Sequence, residues 1–355
     1  DTSKTMAKLY EINDFMEWYM KYFPVPYGSY SKETSGLFGL SKFNAFTFKK
    51  GDKTDSITQP SSLSLLGYIT LNHQYKLVLE SNLMLNKNKA LWRTDIIYTY
   101  YPLEYFGVGN NTSLDDRRTL DTRDFQISTE YLFRFHKMWF LGPVADYYNY
   151  YEANLAADSP SQPGDSINLL HNIGRQSGLG IKLLMEGRDN RLNAKKGFYL
   201  DASIQWFDDA FGSQYNYTFF RADARYYVTP WKKLTVANQL RTSVKKGEVP
   251  VQSLSFLGGD YSMRGIYRGR YRDNVSIDMQ TELRFPVFWI FGATVFGGLG
   301  QVATDYDKFK LNETHYSYGV GLRIQVDSEH DINLRFDLGF SGDQTIFIMN
   351  FAEAF

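Results

Sequence analysis

GGDYSMRGIYRGRYR, residues 258–272, packs Arg264, Arg268, Arg270 and Arg272 together with Gly258, Gly259, Gly265 and Gly269. Glycine lets a backbone turn sharply or pass close to another group. Cations at this density need acidic or hydrated surroundings, because an unpaired buried charge is costly. The flanking residues identify those surroundings.

Downstream, Val275, Ile277, Met279, Thr281, Leu283 and Phe285 alternate with Ser276, Asp278, Gln280, Glu282 and Arg284. The same two-residue period runs through Tyr316–Val326, Ile332–Phe340 and Phe220–Val228, with polar rows that include Arg323, Arg335, Asp337, Arg221, Asp223 and Arg225. A period of two is the side-chain period of a strand. The polar rows carry both signs of charge, which a dry core between two sheets would tolerate only if every charge were paired. The apolar rows would expose a large greasy surface in water. Both features fit a transmembrane β-barrel, with one face toward lipid and the other toward a wet lumen.

Composition agrees. The 355 residues include 27 Tyr and 27 Phe, an excess suited to aromatic girdles at two membrane interfaces. Lysines and arginines number 39 and carboxylates 39, so nucleic acid is not an expected partner. Cysteine is absent, which excludes a disulfide framework and a thiolate metal site. No apolar stretch is long enough for a transmembrane helix, and the first residue, Asp1, reads as the start of a processed chain.

Residues 1–23 stand apart, because Leu9, Ile12, Phe15, Met16, Tyr19, Met20 and Phe23 fall near helical spacing between charges. This segment is expected to be an amphipathic helix on the periplasmic rim, with a lumenal plug or a partner-docking element as alternatives. The remainder, 24–355, reads as one all-β antiparallel barrel of sixteen strands. These lie near 24–32, 35–49, 61–72, 73–86, 90–102, 123–136, 138–151, 175–187, 196–208, 215–228, 232–244, 273–285, 287–302, 314–327, 330–340 and 343–355. Polar stretches at 104–122, 152–174, 246–272 and 303–313 are expected as extracellular loops.

Five stretches carry a family resemblance. They are Ser262–Tyr267, Glu282-Leu283-Arg284-Phe285-Pro286, Gly187-Arg188-Asp189-Asn190 with Gly197, Tyr105–Asn110, and Tyr318–Arg323. In this order and spacing the chain resembles the BamA/TamA-type superfamily of outer-membrane assembly and translocation barrels. The resemblance implies that 246–272 folds back into the lumen through Gly258, Gly259, Met263, Arg264, Gly265, Ile266 and Tyr267. It also implies that Arg264 pairs with an acid on a following strand. Glu282 has the inward parity for that role, and Phe296 lies on the next strand as a second anchor. A partly hydrated lumen would screen such a pair and keep its contribution modest.

Two departures qualify the likeness. Gly298 stands where the family often has a second acid, so an incomplete lock is expected. The periplasmic polypeptide-transport-associated (POTRA) domains of the family's assembly factors are missing from the sequence, which makes protein partners expected alongside outer-membrane lipids.

The resemblance also implies a lateral seam between the first and last strands, marked by Pro24, Pro26, Phe351 and Phe355. The prolines there remove backbone donors. Catalysis has no support. His73, His136, His171, His315 and His330 are scattered, and neither a nucleophile elbow nor a phosphate loop is present. No cofactor or metal is expected. The expected function is assistance in inserting or exporting outer-membrane or surface proteins or lipids, within a larger complex. Alternatives are a passive channel for small solutes and a transport-inactive structural or surface-recognition subunit.

Overall fold

The computed structural model describes residues 11, 14–15, 17–31, 35–48, 60–155, 173–231, 233–342 and 344–355. Eighteen strands follow in chain order: β1 (Val25–Ser31), β2 (Ser35–Phe46), β3 (Ser61–Thr70), β4 (Tyr75–Leu85), β5 (Ala90–Tyr105), β6 (Arg118–His136), β7 (Trp139–Leu155), β8 (Gly174–Glu186) and β9 (Gly197–Phe207). The rest are β10 (Tyr217–Trp231), β11 (Leu234–Gly247), β12 (Ser255–Phe256), β13 (Arg272–Asp273), β14 (Val275–Phe288), β15 (Phe291–Ala303), β16 (His315–Asp327), β17 (Ile332–Ser341) and β18 (Gln344–Phe351).

Sixteen of them form one antiparallel meander in chain order, the wall of an outer-membrane β-barrel. The small β12–β13 pair forms a separate hairpin within the segment between β11 and β14. Alternation sorts the wall. On β14, Ser276, Asp278, Gln280, Glu282 and Arg284 are buried, whereas Met279, Leu283 and Phe285 are exposed toward lipid. On β16, Ser317 and Arg323 are buried while Tyr316, Tyr318, Val320 and Leu322 are exposed.

The turns 86–89, 137–138 and 289–290 join strands at one end and the long segments 106–117, 248–274 and 304–314 at the other, which places the former on the periplasmic side. Three strands run well past their expected ends: β5 continues to Tyr105, β6 begins at Arg118 and β7 continues to Leu155, so the loop between β5 and β6 is only 106–117. Of the loop expected at 152–174, residues 156–172, His171 included, lie outside the described residues. The last strand stops at Phe351 rather than 355. Ala352 adopts φ +62°, and the chain then turns off the wall.

The N-terminal segment is helical over 17–22 and sits at the periplasmic rim. Lys42 on β2 donates to the carbonyls of Met20 at 2.6 Å and Phe23 at 3.3 Å, and Asn44 donates to that of Lys21. Its residues 1–10, 12, 13 and 16 lie outside the described residues.

Candidate functional site: a locked loop, a floored lumen and two short terminal strands

The segment between β11 and β14 folds into the lumen. Leu257, Met263, Arg264 and Ile266 are fully buried there. Gly258, Gly259, Gly265 and Gly269 all have φ between 78° and 123°, a region that costs side-chain-bearing residues strain. At Gly265 the need is sharpest, because a Cβ would come within 2.8 Å of the carbonyl oxygen of Phe340. Gly339 is its counterpart on the wall, where a Cβ would lie 2.6 Å from the amide nitrogen of Gly265. Two glycines thus let loop and strand backbones touch.

Arg264 then reaches two carboxylates at once. It pairs with Glu282 on β14 and, at 2.6 Å, with Asp337 on β17. Its guanidinium lies 3.7 Å from the ring centre of Phe296, a cation–π contact. The sequence leads to an incomplete, hydrated lock; the geometry is different. Gly298 lacks the acid because Met263 occupies that place, with its sulfur 3.0 Å from where a Cβ would sit. The second acid comes instead from Asp337, and none of Arg264, Glu282 and Asp337 is measurably exposed. Water does not screen this pair.

The lock extends into a network. Arg335 and Arg323 each hold Asp337 at 2.6 Å, Arg284 holds Glu282 at 2.6 Å, and Arg323 holds Glu353 at 2.8 Å. Arg323 and Arg335 sit directly opposite each other in the β16–β17 register, so the acids between them offset a like-charge pair. Further ties fix the rest of the loop. Asp278 accepts from Ser262, the Tyr261 carbonyl accepts from Gln280 at 2.7 Å, and the Tyr267 amide donates to Gln344 at 2.9 Å. Arg270 donates to the carbonyls of Thr112 and Ser113 at 2.8 and 2.9 Å, joining the loop to 106–117 on the extracellular side.

The periplasmic end carries a floor. The turn 187–196 is braced by Asp189, whose carboxylate accepts from the amides of Asn190, Lys195 and Lys196. From this turn Arg191 donates to Asn82 on β4 at 3.1 Å, and Asn190 donates to the carbonyl of His330 beyond β16. Residues 352–355 lie against it. Glu353 donates its amide to Leu192, and Phe355 packs with Ala194, Tyr227 and Ala237 while its carbonyl accepts from Arg284 at 2.9 Å. Phe355 is therefore part of the floor and not of the seam; a left-handed Ala352 carries it inward. Between floor and loop lies a chamber of about 450 Å³, lined in part by Arg93, Glu130, Lys182 and Asp201. Those four residues form a second ion cluster, with Arg93 3.0 Å from Glu130 and Lys182 3.1 Å from Asp201.

The remaining seam residues stay at the edges. Pro24 precedes β1, Pro26 sits within it opposite Leu40, and Phe351 ends β18 opposite Leu334. Each of β1 and β18 has one neighbour in the sheet, and among the described residues no backbone hydrogen bond joins them. Phe43 on β2 and Phe351 bridge the gap by ring stacking, with centroids 5.8 Å apart.

Sequence reasoning missed Asp337, Arg335, Arg323 and Glu353. The first three stood in polar rows of recognised strands, and Glu353 interrupted the apolar row of the last one.

Comparison with known proteins agrees with this geometry. The Omp85 superfamily domain matches residues 79–351. Curated protein sequences gave no significant match. Among solved structures the chain is similar to BamA from Haemophilus ducreyi lacking POTRA domains 1–3, with TM-score 0.55, 14% identity, and coverage of 93% of this chain and 69% of that one. It is also similar to CdiB from Escherichia coli (0.54, 10%, 92% and 61%) and CdiB from Acinetobacter baumannii (0.52, 13%, 91% and 57%). The chain thus spans about six-tenths of either CdiB. At such identities the likeness speaks for the fold, while the domain match covers over three-quarters of the sequence. The chain belongs to the Omp85 superfamily, the assembly and translocation family of outer-membrane β-barrels.

Proposed function

We propose that this barrel assists the insertion or export of outer-membrane or surface proteins through a lateral seam between β1 and β18, working with protein partners. The observations that carry the reading are that β1 and β18 are the two shortest strands of the wall and that a Phe43–Phe351 ring stack joins their flanks. Free edges present rows of backbone donors and acceptors to which a client strand can add. Pro24 and Pro26 lower the donor count on one edge. The seven residues of β1 and eight of β18 make both edges short, so little must be broken to admit a guest.

A passive channel fits less well. The lumen is occupied from the extracellular side by the Arg264 loop and crossed at the periplasmic end by the turn 187–196 with the 352–355 tail. Depleting the protein in its host and quantifying the envelope proteome tests the proposal. Loss of a subset of outer-membrane or surface proteins is expected, and an unchanged proteome would refute it. In planar bilayers the barrel is expected to be nearly silent, and removing residues 258–270 should open a steady conductance.

A further inference from the structure

The N-terminal helix carries a feature that neither the lock nor the seam explains. Phe15, Trp18, Tyr19, Tyr22 and Phe23 fall on one stripe at helical spacing, and their rings form a continuous ladder with centroids 5.4–6.4 Å apart. Four of them are strongly exposed, Phe15 at 61% and Tyr22 at 62%. An aromatic patch of this size on a short helix is built for something apolar.

The surrounding surface indicates what that is. The periplasmic strand ends carry outward aromatics, with Phe133 and Phe135 on β6, Trp231 on β10 and Phe288 on β14 all more than half exposed. They form the interfacial girdle expected of an outer-membrane barrel. At β1 the girdle is interrupted, because Pro24 just before the strand and, among its described side-chain positions, Pro26 and Gly28 are the exposed residues. The helix lies at this gap and supplies the missing rings.

The rest of the helix is tied to both flanks of the seam, and at the edge of the stripe Trp18 and Tyr22 share a cleft with Phe43 and Phe351. Lys42 and Asn44 of β2 cap its last carbonyls, where a cation also meets the negative end of the helix dipole. From its first full turn Glu17 accepts from the Ser328 hydroxyl, 3.2 Å away in the turn between β16 and β17. The helix therefore reaches from β2, past the edges of β1 and β18, to the far flank.

We propose that this helix is a lipid-seated clasp, its aromatic stripe inserted among phospholipids of the periplasmic leaflet while its opposite face holds β2 and the β16–β17 turn together across the seam. The clasping role rests on the seam as the working site, whereas the lipid seat does not. Aromatic rings are well suited to the headgroup–acyl boundary, and a stripe flanked by charges lies in that plane. Lipid is thus part of what keeps the edges together.

The absence of native cysteine makes the test clean. The full chain is reconstituted in phosphatidylethanolamine–phosphatidylglycerol vesicles with a bimane label on Tyr22→Cys or, on the charged face, on Asp14→Cys. With acyl-brominated lipid, the label at 22 should lose roughly half its intensity and the label at 14 little. Equal quenching at the two sites, or none at 22, overturns the lipid seat; a Phe15→Cys label gives an independent reading should Tyr22→Cys misfold. For the clasp, Glu17→Cys with Ser328→Cys should cross-link under mild oxidation in most chains. Adding Trp18→Glu and Tyr22→Glu should cut the yield by about fivefold, as the stripe leaves the membrane. An unchanged yield overturns the coupling of lipid to clasp. Neither readout needs a client, so failure of the assembly proposal leaves both interpretable.

Discussion

The wall around β14–β17 and the edge between β1 and β18 are built on opposite principles. Around Arg264, four arginines and three carboxylates are buried together, braced by Phe296 and by two glycines that bring backbones into contact. At the edge, two short strands meet through a ring stack and a helix tied at both flanks. Removing one member of a buried ion network is severe because the remaining charges stay desolvated. A side-chain-held edge can part and re-form at modest cost. The proposed opening along one line would use this contrast, a rigid half serving as the anvil for a yielding one.

Substitutions should grade accordingly. Arg264→Ala empties a fully buried site and takes from Glu282 and Asp337 the one cation that joins them across the loop, leaving each only its wall arginines, a loss of about 3–5 kcal/mol. Heat-modifiable gel migration and melting in detergent should show a fall on the order of 10 °C. A variant that melts with the parent would mean that the lock does not stabilise the wall. Gly265→Val pushes a branched side chain into the β17 backbone in a conformation it disfavours, with an expected cost of about 2–3 kcal/mol. The diagnostic readout is protease cleavage within 258–272, which should rise as the loop lifts from Gly339.

Glu353→Ala removes the acid shared by Arg323 and Arg284 but leaves each with another partner, so about 1–2 kcal/mol is expected. Loosening of the 352–355 tail should appear as faster amide exchange in the 187–196 turn. Smallest is Pro26→Val, which restores a backbone donor at the edge and should move melting by less than about 1 kcal/mol. If it shifts stability as much as Arg264→Ala, the contrast between the two regions collapses.

Much of the wall was legible in the residues alone. Alternation placed Met279, Leu283, Tyr318 and Val320 outward and Glu282 inward, because period two admits no other arrangement once one face meets lipid. Strand ends were less legible: β5 and β6 run further than expected because a hairpin can continue above the membrane wherever its two arms keep pairing. The lock was half legible. Parity marks Asp337 as inward, but which inward acid meets Arg264 depends on the path of the loop across the lumen. That path is set by contacts 73 residues apart in the chain. Gly298 looked like a vacancy and is the space that Met263 fills. The fate of Phe355 was not legible, since it turns on a single alanine adopting positive φ, which alanine seldom does.

The spacing of the Arg264 partners has a consequence for the order of events as the chain folds. Glu282 follows 18 residues after the arginine, on the next long strand, so this half of the clamp can form early. Asp337 lies 73 residues away on β17, so this half of the clamp also requires β15 and β16 to be in place between them. Until then the guanidinium has a single carboxylate and the loop has no Gly339 surface to rest on. Seating of the loop is thus a late step that reports completion of nearly the whole wall. A barrel stalled before β17 would display residues 258–272 to proteases, and quality control could recognise it by that exposed segment.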